Sequence, residues 1–126
     1  MIVHPDVHVG ALPRDELLAI FTLSRRRWND GTAIVALNYD AMHPLREQFD
    51  RAVLSLAPDA VARFWIEFRV RGQGTAPRTV PNSRWMGRVV SHLPGAIGYL
   101  PSGEPTEGAH VVARISNGRV YAGGAR

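Results

Sequence analysis

The chain alternates between short apolar runs and amphipathic stripes, each closed by proline or glycine. Ile2, Val3, Val7 and Val9 surround His4-Pro5-Asp6, which suits a short strand interrupted or edged by proline. Pro13 then stands where a first helical residue would. Asp15 and Glu16 fall in the electropositive first turn, and Leu17, Ile20 and Phe21 keep helical spacing. After the turn signal Asn29-Asp30-Gly31, Ala33-Ile34-Val35-Ala36-Leu37 is apolar throughout, as expected of a strand covered on both faces.

Two proline-opened helices follow. Leu45, Phe49, Val53 and Leu56 form one stripe after Pro44; Val61, Phe64, Trp65 and Phe68 form another after Pro58. Both predict core-facing helices. Gly72-Gln73-Gly74 and residues 77–81 predict a loop. Asn82 or Ser83 then caps a helix carrying Trp85, Met86, Val89, Val90 and Leu93, which Pro94-Gly95 stops. Residues 96–100 and 111–115 predict strands on either side of an exposed loop, and Asn117-Gly118 predicts a hairpin turn into Val120-Tyr121. Residues 123–126 predict a loose tail. Strands alternating with helices in this order predict an α/β domain.

Composition sharpens the picture without changing it. A chain of 126 residues, 45% hydrophobic and 21% charged, fits one globular domain over residues 1–126 and argues against a mostly disordered polypeptide. The absence of cysteine excludes disulfides, thiolate metal centres and cysteine nucleophiles. Fifteen basic residues against 11 acidic ones give a net charge of +4, and every basic residue is arginine. Arginine grips phosphate or carboxylate in a bidentate fork, which points to anions or nucleic acid; a GC-rich genome gives the same bias. No apolar run approaches the roughly 20 residues of a membrane span, and Met1-Ile2-Val3-His4-Pro5 lacks the basic and apolar regions of a signal peptide.

Four segments, in order and spacing, carry a family resemblance. They are Leu17 to Trp28 with Asp30-Gly31, Ile34 to Phe49, the aromatic helix ending in Phe68 with Gly72-Gln73-Gly74, and Pro94-Gly95-Ala96-Ile97-Gly98-Tyr99. Together they resemble the phosphate-binding proteins of bacterial ABC importers, and more closely the short stand-alone proteins related to them, over roughly residues 2–101. The resemblance implies a three-layer lobe like that of a type II periplasmic binding protein, a mixed sheet flanked by helices. It also implies a periplasmic location and a small anion held at a helix N-terminus, where unpaired N–H groups and a partial positive charge meet the ligand.

The family's phosphate loop reads Ser-Gly-Thr-Arg at the start of the helix after the second strand. Aligned on Phe49, the corresponding positions here are His43-Pro44-Leu45-Arg46. His43 and Leu45 replace hydroxyl donors, Pro44 removes an N–H, and only the arginine is kept. The ligand-binding candidates that the resemblance yields are therefore Asp40, His43, Leu45 through its N–H, and Arg46. Arg46 also lies one turn from Asp50, which suits an ion pair. A full binding protein of this kind is about twice as long, so one lobe leaves a site open, completed by a second copy, or absent.

The remaining constellations point away from catalysis. His4, Asp6 and His8 would share one face of a regular strand as a two-histidine, one-carboxylate metal set, although edge-strand polar residues give the same pattern. The serines lack a nucleophile elbow, and Gly72-Gln73-Gly74 is too short for a dinucleotide or phosphate loop. Arg25-Arg26-Arg27-Trp28 with Arg69 and Arg71 raises a nucleic-acid surface, which packing of Trp28 explains more simply. The expectation is a non-enzymatic binding module with a degenerate phosphate site, with no catalytic residue, no cofactor and no metal. The alternatives are a protein-interaction or self-associating scaffold on the same lobe, and an arginine-rich nucleic-acid-binding domain.

Overall fold

The computed structural model describes residues 1–123. In chain order its elements are β1 (Ile2–Val3), α1 (Arg14–Phe21), β2 (Val35–Tyr39), α2 (Pro44–Phe49), α3 (Pro58–Val70), β3 (Arg78–Val80), α4 (Ser83–His92), β4 (Ala96–Gly98), β5 (His110–Val111), β6 (Ala113–Ser116) and β7 (Arg119–Ala122). Five strands make one mixed sheet in the order β3-β2-β4-β1-β5. β2 runs parallel to β3 and to β4, with Ala36 opposite Ile97, whereas β1 is antiparallel to β4 and β5. With its four helices the fold is mixed α/β. None of these helices is long and apolar enough to cross a membrane.

The crossover helices lie where small residues let them. A Cβ on Gly98 would stand 2.5 Å from Met86 Sδ and 3.0 Å from Val90 Cγ2, so α4 packs directly on β4 at that glycine. Ile97 points to the other face because strand side chains alternate. Leu17, Ile20 and Phe21 of α1 are buried, as their spacing predicts, and Phe21 meets Phe49 edge to face at 4.6 Å. Asn82 caps α4 by accepting from the Trp85 N–H at 3.0 Å. Asn117 and Gly118 both take positive φ, 51° and 74°, and turn β6 into β7 with Ser116 opposite Arg119.

Several boundaries differ from the sequence pattern, each for a local reason. The stripe starting at Leu45 predicts one continuous helix, but α2 passes at Asp50 into a π-helical turn, Asp50–Leu54, which ends at Ser55 with φ 58°. Leu56 therefore lies beyond the helix. Arg14 secures that end, donating to the Ala52 carbonyl at 3.1 Å and to Ser55 Oγ at 2.7 Å. β1 is not an edge strand: it lies between β4 and β5. The strand expected at residues 111–115 is broken at Val112, whose N–H donates to the Met1 carbonyl and whose own carbonyl accepts from Leu12 and Gly123. Apart from Gly123, the tail expected to be loose lies outside the described residues.

Candidate functional site

The end of β2 and the start of α2 bring the predicted ligand residues together, and they bond chiefly to one another and to the neighbouring backbone. Asp40 turns the chain, its carboxylate accepting from the Met42 N–H at 3.0 Å and its carbonyl from the His43 N–H at 2.9 Å. His43 is the N-cap of α2. Its Nδ1 accepts from the Leu45 N–H at 3.1 Å, and its ring stacks on Tyr39 with centroids 4.5 Å apart. The carbonyl of His43 takes the N–H of Arg46 at 2.9 Å. Pro44 has no N–H to offer. The free donors that make a helix start attractive to an anion are here either missing or occupied.

Arg46 is turned inward. Only 8% exposed, it donates from Nε to Asp50 Oδ2 at 3.0 Å and from Nη1 to the Tyr39 carbonyl at 2.9 Å. Asp50 is 4% exposed, and its second oxygen, Oδ1, is buried without a hydrogen-bond partner. Burial raises the Asp50 carboxyl above its ordinary value, and the Arg46 guanidinium only partly offsets that. The ion pair suggested by the one-turn spacing is therefore formed, in the interior.

Behind this pair lies a chain of buried hydroxyls. Tyr39 Oη donates to the Tyr99 carbonyl at 2.7 Å, and Tyr99 Oη donates to Asn38 Oδ1, which also accepts the Tyr39 N–H at 2.9 Å. Desolvation pushes both phenols well above the usual tyrosine range. Phe49 stacks on Tyr99 at 4.4 Å and seals the layer. Such a network fixes the end of β2 against the end of β4.

A cleft of about 510 Å³ opens beside this network, beyond the carboxyl end of the parallel strand β4, the side on which ligands usually lie in an α/β sheet. Leu45, Gln48 and Phe49 of α2 line one side, and Tyr99, Glu104 and Arg114 contribute to the others. Of the four residues predicted from sequence, only Leu45 reaches it. Glu104 reads in sequence as a solvated loop residue and Arg114 as a strand residue. Nothing in their local spacing signals that the loop after β4 and strand β6 come to face α2 across one cleft.

The other candidate groups are dispersed. The chain turns after Val3: the Val7 N–H donates to the His4 carbonyl, and His4 Nδ1 accepts from the Asp6 N–H at 3.0 Å. His4, Asp6 and His8 thus do not follow one extended strand. Among the described residues no three histidine, aspartate or glutamate side chains gather as a metal-holding group. In the basic run, Arg25 pairs with Glu16 at 2.6 Å, Arg26 donates to the Leu23 and Gln73 carbonyls, and Arg27 to the Gly31 carbonyl. These guanidiniums hold the loop together. Trp28 is buried, with the Arg25 guanidinium over its ring at 5.5 Å.

No protein-family model matches the chain, and no curated protein matches it.

Proposed function

We propose that this chain is a non-enzymatic binding module built on a lobe like that of a type II periplasmic binding protein, one whose anion loop has been closed by its own side chains. The reading carries with it a three-layer arrangement and a periplasmic setting. The observation that supports it is the pairing at α2. The Leu45 N–H serves His43 Nδ1, and the Arg46 guanidinium serves Asp50 and the Tyr39 carbonyl. An anion taking the Leu45 N–H together with the Nε or Nη1 donor of Arg46 would have to displace a cap and break a buried bond, which together cost several times more than a solvent-exposed contact returns. On this reading the lobe acts by contact with a macromolecular partner and does not carry phosphate.

Titration calorimetry with phosphate, sulfate and small carboxylates tests this directly. No heat is expected at millimolar ligand. Heat with phosphate that vanishes in Arg46→Met would overturn the closed-loop reading.

A second reading, a small-ligand site, is favoured by the cleft lined by Leu45, Gln48, Glu104 and Arg114. Its mixed walls suit a small molecule with an apolar body and a carboxylate facing Arg114. Ligand-dependent thermal shifts lost in Arg114→Ala but kept in Arg46→Met would establish it over the first.

A further inference from the structure

The long helix α3 contributes no residue to the continuous core. Its aromatic residues pack on one another instead: Phe64, Trp65 and Phe68 have ring centroids 4.9 to 6.1 Å apart. The sequence stripe predicts a core-facing helix, but only Val61 and Phe68 are buried. On the opposite side Ala62, Ile66 and Val70 follow at one-turn spacing, all exposed, Ile66 by 62% and Val70 by 80%. Along one flank of that apolar row run Asp59, Arg63, Glu67 and Arg71, alternating in sign.

We infer that α3 is the surface through which two copies of this chain associate, their helices antiparallel about a two-fold axis at the level of residue 65. Under that operation Asp59 meets Arg71 of the partner subunit, and Arg63 meets Glu67 of the partner subunit. Symmetry repeats both pairs. Ala62 falls between the partner's Ile66 and the partner's Val70, so the apolar rows interdigitate as knobs into holes. Sliding the partner by one turn either way sets Arg63 opposite the partner's Arg71 or Asp59 opposite the partner's Glu67. A parallel two-fold arrangement puts the two charged flanks on opposite sides of the seam, where they cannot pair with each other. The flank therefore favours one orientation and one register. The same charges also pair within the helix, Asp59 with Arg63 at 3.6 Å and Glu67 with Arg71 at 3.7 Å, but all four are well exposed there and add little to stability.

A 13-residue helix is only about 20 Å long, so the contact is smaller than a standard interface and the association is reversible and concentration-dependent. The inference rests on the contact-module reading and names its partner.

Sedimentation velocity from roughly 10 µM to 1 mM tests it, with helicity and melting temperature followed alongside. The wild-type sedimentation coefficient should rise with concentration, and Ile66→Glu should abolish the rise without changing the melt. Arg63→Glu and Glu67→Arg should each weaken association by roughly tenfold. The combination R63E/E67R should restore it. That double exchange makes the 59/63 and 67/71 pairs within each helix like-charged, yet keeps 63 and the partner's 67 opposite in sign, so recovery reports the contact between copies. Because the chain has no native cysteine, Ile66→Cys should cross-link to itself and Val70→Cys should not. A monomer at every concentration, failure of the double exchange, or self-cross-linking at residue 70 would each overturn the proposal. A monomer that captures a different protein through α3 would also overturn it and leave the contact-module reading standing.

Discussion

The indole Nε1–H of Trp28 donates to the carbonyl of Gly95 at 3.0 Å, joining the arginine-rich loop to the turn that feeds β4. The same carbonyl accepts the Val35 N–H at 3.0 Å, so one oxygen ties the loop and β2 to the start of β4. Gly95 has φ 82°, and a Cβ there would collide with the Ala33 carbonyl oxygen. Trp28→Phe keeps most of the apolar contact and loses the bond; urea denaturation should show a loss of about 1–3 kcal/mol. Gly95→Ala adds strain to a backbone clash and should cost more, about 2–4 kcal/mol.

Arg46→Met strands a buried carboxylate and should destabilise by about 3–5 kcal/mol in the same assay. The double variant R46M/D50L replaces both partners with apolar groups and should recover most of that loss. If each single variant costs under about 1 kcal/mol, the pair is solvated and the anion loop is open.

Asp50 also sets a pH signature. Its folded carboxyl is raised above the ordinary value of 3.8, so the ionised form costs folding free energy. That cost is fully present above the folded value and is relieved as pH falls through it toward 3.8. Wild type should therefore gain stability relative to Asp50→Asn as pH drops from neutrality toward 4, measured as the difference between their denaturation midpoints at each pH. A gap that is flat or shrinks over that window would refute the assignment.

The closed loop should be reopenable. His43→Ser, Pro44→Gly and Leu45→Thr together return two hydroxyls, one backbone N–H and the freed N–H of residue 45 to the start of α2. Calorimetry should then detect phosphate where the wild type gives no heat, and adding Asp50→Asn, which loosens the hold on Arg46, should tighten it. Continued silence in the four-fold variant would count against the likeness of this loop to a phosphate loop.

Periodicity made much of this fold legible. The apolar run 33–37 marks the central strand, and Pro13, Pro44, Pro58 and Asn82 mark the first or capping positions of the four helices. The strand itself is shifted to Val35–Tyr39. Ala33 is bridged to Arg27, and Asn38 and Tyr39 extend the strand inward because Tyr99, 60 positions away, gives their polar atoms partners. A local pattern does not contain that pairing. The π-helical turn at Asp50–Leu54 is equally invisible to a stripe count, and so is the failure of α3 to face the core. At the candidate site, spacing found the Arg46–Asp50 pair. The cleft depends on the loop after β4 and on β6 coming to face α2, an approach of long sequence separation.

One feature of the sheet bears on how copies of this chain meet. Its margins are β3, three residues bracketed by Pro77 and Pro81, and β5, two residues long. Prolyl nitrogens carry no hydrogen, and so short an open edge offers an incoming strand little to template on. Lateral strand addition, the first step toward fibres, is thereby suppressed at both ends. Crowded solutions of this protein should stay clear of thioflavin-positive aggregate nucleated at these two edges, so that any strand addition has to begin at the separate β6–β7 hairpin.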